Sequence, residues 1–117
     1  MAITAITGLV AQWYTPEQSG DDEQKTAFEI KPLNGLVAME VLAEAHADAN
    51  DNIHISGKAM QKILKHGLID WRNLNDDTGK TLKFSVGNFS RVPALVLKDL
   101  ATEIITISQL TGEEIKN

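Results

Sequence analysis

KHGLIDWRNLNDDTGKTLKF, residues 65–84, is the stretch on which the fold turns. Its first residues close a helix. Lys65 and His66 put positive charge where the carbonyl end of a helix dipole favours it. Gly67 follows as a natural stop, the position where a left-handed residue ends a helix without steric cost. Leu68, Ile69 and Trp71 come next, and apolar residues just past such a stop pack back on the helix end. Trp71 is therefore expected as a core anchor. Residues 73–79 are rich in turn formers, with Thr78-Gly79 as the tip of a hairpin, and residues 81–84 form the return strand. The stretch thus predicts a helix end, a short hairpin near 70–84, and an α+β class.

Working outward, Ser56 caps a helix over about 57–66. Met60, Ile63 and Leu64 form its buried stripe. Lys58, Lys62, Lys65 and His66 gather on the other side. That basic face is the one candidate site for a polyanion, although a solvated, dipole-matched face explains the same residues. Before it, Asn34 caps a helix over about 35–47. Leu36, Val37, Met39, Val41, Leu42, Ala43 and Ala45 give that helix a broad apolar face, with Glu40 and Glu44 toward water. The run ADANDN (47–52) stops it, and Ile53 and Ile55 suit a short extended segment.

Two alternating stretches, about 3–14 and 26–31, read as an N-terminal β-hairpin joined by a long acidic loop. Gly8 marks a bulge or close approach, and Pro32 ends the second strand. At the other end, Pro93 suits the first turn of a helix over about 93–107, where its missing N–H costs nothing. Leu95, Leu97, Leu100, Ala101, Ile104, Ile105 and Ile107 make this helix broadly apolar. TGEE (111–114) matches a capping box that starts a further turn. The expected architecture is a single α+β domain over 1–117 with three main helices. Gly67, Trp71, Gly79 and Pro93 are its structural anchors.

Composition narrows the function classes. The 117 residues are 43% hydrophobic, enough for one core. The net charge of −5, with 11 scattered Lys and Arg, argues against a nucleic-acid partner. The absence of cysteine removes disulfides, a thiolate nucleophile and Cys-based zinc sites. No apolar run reaches the roughly 18 residues of a membrane span, and no basic leader opens the chain. The expected compartment is the cytoplasm.

Candidate chemistry fails on spacing. His46, Asp48, Asp51 and His54 are the densest set of metal-ligand types, but they straddle a helix end and a loop rather than one face. Glu17, Asp21, Asp22 and Glu23 lack the spacing of a calcium loop. In DDTGK (76–80), a calcium loop with Gly79 sixth would begin at Leu74 and end at Ser85, where a glutamate is needed. A phosphate loop ending there would need glycine at 74. Ser85, Ser90 and Ser108 have no nucleophile-elbow context. The expectation is a protein without catalytic, metal or cofactor residues, and with no cofactor.

The order of motifs carries a resemblance. FEIKPL (28–33) precedes a helix. HGLIDW (66–71), DDTGK (76–80), VPALVLKDLATEI (92–104) and the ending SQLTGEEIKN (108–117) follow. This resembles small tail assembly chaperone-like proteins encoded in the tail modules of bacteriophages and prophages, over about 28–117. The first strand and the acidic loop lie outside it. The resemblance implies a non-enzymatic protein of the host bacterial cytoplasm that binds and solubilises the tape measure protein during tail morphogenesis. It implies tape measure or other tail proteins as partners, no nucleic acid, no membrane, and a monomer or weak homo-oligomer. It gives no catalytic residues. The partner site would be an apolar patch rimmed by charge. The alternative is a virion structural subunit, a tail tube or head–tail completion protein, forming a ring through the N-terminal hairpin as an arm.

Overall fold

The computed structural model describes residues 2–3, 10–17, 25–47 and 53–116. The elements run β1 (Gln12–Tyr14), β2 (Ala27–Ile30), α1 (Gly35–Ala43), β3 (Ala45–Ala47), β4 (Ile53–Ile55), α2 (Gly57–Gly67), β5 (Leu68–Arg72), a 3₁₀ turn (Val86–Arg91) and α3 (Ala94–Lys116). This is the expected α+β arrangement, an N-terminal hairpin with three helices. Of the first strand expected over about 3–14, only Gln12–Tyr14 is strand among the described residues, and residues 4–9, with the bulge expected at Gly8, lie outside them.

β1, β2 and β5 form an antiparallel sheet with β2 in the centre. Tyr14 faces Phe28, and Phe28 faces Trp71, so one row of rings crosses all three strands. Trp13, Glu29 and Asp70 share the next register row, on the opposite face because side chains alternate along a strand. The Arg72 guanidinium sits 4.6 Å over the Trp13 ring. Pro32 follows the last paired residues of β2, and the Lys31 N–H bonds instead to the Gly67 carbonyl at 2.9 Å. One core joins Phe28, Ile30 and Trp71 of the sheet to Val37 and Val41 of α1, Ile63 and Leu64 of α2, and Leu100 and Ile104 of α3.

The opening stretch behaves in two ways. Trp71 is buried, and its indole N–H donates to the Leu82 carbonyl at 2.8 Å. The chain's three phenylalanines surround it, with Phe84 at 4.8 Å, Phe89 at 5.9 Å and Phe28 at 6.2 Å between ring centres. β5, however, takes its ladder from β2. The short hairpin closes inside it, through an Asn75–Thr81 bridge and bonds from Leu82 N to Leu74 O (2.7 Å) and Asp76 N to Lys80 O (2.8 Å). One Asp76 carboxylate oxygen accepts from Thr78 N, Thr78 Oγ1 and Lys80 N. These bonds hold its carboxyl below the usual range, the Thr78 side chain most strongly. Gly79 takes φ +84°, the left-handed value that suits glycine at such a tip.

Gly67 ends α2, but not as a left-handed stop. It is the last helical residue, and Leu68 leaves in extended conformation. Glycine matters there because α2 meets α3. A Cβ on residue 67 would sit 2.7 and 2.8 Å from two carbons of the Ile104 side chain. The Pro93 carbonyl accepts the N–H of Leu97 at 3.0 Å, opening the first turn of α3.

Two helix ends differ from expectation. α1 ends at Ala43, and residues 45–47 pair as β3 with β4, His46 opposite His54. Alanine favours helix, so residues 45–47 join β4 because pairing with Ile53–Ile55 overrides local propensity. α3 runs on through Lys116, so residues 111–114 continue a helix instead of starting one. Gly112 costs a helix interior only about 1 kcal/mol, which the surrounding helix formers offset.

Candidate functional site

α1 carries the surface with the least folding purpose. Except for Gly35 and Glu40, every residue of GLVAMEVLA is apolar. Asn34 starts the helix, its side-chain oxygen accepting the Val37 N–H at 3.0 Å. Val37 and Val41, four residues apart, form the buried side at 8% and 3% exposure. Leu36, Met39 and Leu42, three apart, lie on the other side at 72%, 62% and 60%. Residues three and four apart share a helix face, so these are two separate stripes. An all-round apolar helix is ordinarily buried on every side. The single broad face expected from the sequence is thus divided between core and surface. The signal was present: a helix face that serves only the core leaves polar residues behind it, and α1 has almost none.

α2 lies beside α1 and supplies the polar border. The Ser56 hydroxyl accepts from Ala59 N at 3.1 Å to start the helix. Ala59, Ile63, Leu64 and Gly67 are buried, while Lys58 and Lys65 are exposed. Lys62 crosses to α1 and forms an ion pair with Glu40. That contact draws the Glu40 carboxyl below its usual range and raises the Lys62 ammonium. The Ser56 hydroxyl also donates to Glu44 at 3.4 Å. Glu40 and Glu44 face water, as expected, and also line the seam between the helices. The basic face proposed from sequence sits along this seam, next to the apolar stripe.

Other features carry less. A cleft of about 420 Å³ between β1 and α3 is lined by Tyr14, Glu17, Leu95, Lys98, Asp99 and Thr102. There the Tyr14 hydroxyl donates to Asp99 Oδ1 at 2.8 Å. Burial, reinforced by that bond and by the Asp99 charge, pushes the phenol up to about 12. Among the candidate metal ligands, His46 and His54 are cross-strand neighbours, while Asp48 and Asp51 lie outside the described residues. So do Asp21, Asp22 and Glu23. Among the described residues, no group of three or more histidine, cysteine or acidic side chains is placed to hold a metal ion. Nor is any helix among them long and apolar enough to cross a membrane.

No protein-family model, curated protein or solved structure matches the chain. The likeness to phage tail chaperones therefore stands on the motifs alone, and the physical case for a site stands on α1.

Proposed function

We propose that the chain is a non-enzymatic, tail assembly chaperone-like protein that acts in the cytoplasm of a bacterial host. It holds an apolar segment of the tape measure protein on the outer face of α1. The observation that carries this reading is the stripe of Leu36, Met39 and Leu42, each more than half exposed on a well-capped helix. Exposed apolar rows of this kind mark partner-binding surfaces. Covering these side chains is worth about 1–2 kcal/mol each, since part of each is already out of water. Three such contacts suit the reversible holding that assembly requires.

Co-expression with the tape measure protein tests the reading. The expected result is co-purification and a larger soluble tape measure fraction. Combined replacement of Leu36, Met39 and Leu42 by serine should abolish both. A tape measure protein equally insoluble with and without the chain rejects the function.

The ring-forming virion subunit remains the second reading, and one observation favours it. β1 sits at the sheet edge, and Ile3 and Val10 before it are 91% and 73% exposed. Such an edge suits strand addition to a neighbouring subunit. Native mass measurement separates the two: a closed ring favours the subunit, and a monomer or weak dimer favours the chaperone.

A further inference from the structure

On the reading of α1 as the partner-binding face, we infer that its occupant is an amphipathic helix with an acidic edge, oriented by the lysine row of α2. Lys58, Lys62 and Lys65 are spaced four and three apart, so they form one row on α2. Leu36, Met39 and Leu42 form one row on α1. The Glu40–Lys62 pair and the Ser56–Glu44 bond tie the two helices at two points, setting an apolar row beside a basic one. Lys62 is engaged by Glu40, whereas Lys58 and Lys65 make no ion pair among the described residues.

A helix laid on the α1 stripe packs at about 8–10 Å between axes, within reach of long lysine side chains on the neighbouring helix. The apolar row supplies the affinity, and the lysines choose the orientation and speed the encounter. Acidic residues along one edge of the incoming helix would meet Lys58 and Lys65. Basic residues there would be repelled. A second copy of this chain fits less well as the occupant. Of the acids beside its own apolar row, Glu40 is already paired with Lys62, which leaves Glu44 to supply an acidic edge. A nucleic acid would use the lysines and leave the apolar row in water.

Four synthetic peptides test this on the full chain by fluorescence anisotropy at low and high salt. Three are 18-residue helices with one leucine row and Glu, Gln or Lys along one edge. The fourth carries the Glu edge without the leucines. The Glu-edged amphipathic helix is expected to bind about tenfold more tightly than the Gln version, and more so against the Lys version, with the preference shrinking in salt. Lys58→Glu with Lys65→Glu should reverse the order, and both positions are exposed, so the fold is retained. Leu36→Ser with Met39→Ser and Leu42→Ser should remove binding of all three helices.

Equal binding of the three helices, or no change on charge reversal, overturns the acidic edge and leaves α1 as a binding face. Tight binding of the leucine-free peptide makes the surface a polyanion site and overturns the inference. A wild-type dimer that the α1 serine variant dissolves gives the face to a second copy, with the same consequence. Binding that survives the α1 serine variant, or no binding of any peptide, removes α1 itself as the partner face.

Discussion

α1 and α2 run side by side, each begun by a polar residue, Asn34 and Ser56, whose side chain accepts the N–H three residues on. Beyond that they diverge. α2 sorts its residues as a surface helix should, with Ala59, Ile63, Leu64 and Gly67 inside and lysines outside. α1 buries Val37 and Val41 just as firmly, yet keeps Leu36, Met39 and Leu42 on the outside. Folding accounts for the sorting of α2 into a buried and an exposed side, though it does not require lysine in particular at positions 58 and 65. It accounts for only half of α1, because exposed leucines bury too little to stabilise the monomer. What folding does not require is where a function is sought.

The comparison breaks first at the inner faces. Ile63 is fully buried, so Ile63→Ala should cost about 2–5 kcal/mol in denaturant melts. Met39→Ala, a similar deletion on the outer face of α1, should stay within about 0.5 kcal/mol. Equal costs at the two sites would mean that the α1 stripe is packed in the isolated chain, and the contrast would collapse.

The next effect sits where α2 meets α3. Gly67→Ala places a methyl 2.7 Å from the Ile104 side chain and should cost about 1–3 kcal/mol through overpacking. Ile104→Ala removes all three side-chain carbons that meet that methyl. The double variant should therefore be more stable than the sum of the two single losses, and a double-mutant cycle measures that coupling. Strictly additive losses would show that glycine is needed at 67 for backbone reasons instead.

These residues also show how far the sequence could be read. Gly67, Trp71 and Gly79 were visible because glycine and tryptophan punctuate a chain strongly. The role of Gly79 followed from local turn chemistry, and its φ of +84° agrees with that role. The role of Gly67 did not follow, since a contact with Ile104, 37 positions away, leaves no local mark. The same limit hid the choice of β2 as the partner of β5, and the conversion of residues 45–47 from helix to strand. In α1 every apolar residue but Ala38 was identified, but a pattern with Glu40 as its one polar interruption cannot tell core from surface. The second stripe needed the structure, although the missing polar face was its signature.

The third effect is smaller in stability and larger in binding. Leu36→Ser, Met39→Ser and Leu42→Ser should each leave the melt within about 0.5 kcal/mol of wild type, because water already covers most of each residue. Taken together they should cost the proposed partner most of its affinity. Val41→Ser would instead unsettle the core and should show first in the melt. If the three outer changes destabilise the chain as Val41→Ser does, the division of α1 into a folding side and a binding side is wrong.

The smallest effect lies at the seam between the helices. Glu40 titrates below its usual 4.5 and Lys62 above its usual 10.5, chiefly through their mutual hydrogen bond. The Glu40 contribution is present above the unfolded-chain value and is lost as pH falls through the lowered folded value. The Lys62 contribution is present below 10.5 and is lost as pH rises through the raised folded value. The pair should therefore give a flat, salt-screened increment to the melting temperature across neutral pH, fading at both extremes. Lys62→Gln should remove that increment and make the variant's melting temperature depend less on pH near both ends. A difference between wild type and Lys62→Gln that persists, in raised salt, once acid has fully protonated the Glu40 carboxyl would assign the contact to packing of the lysine stem. The basic row would then be held in place by apolar burial rather than by Glu40, and it would keep its position beside the α1 stripe even where the carboxylate is neutral.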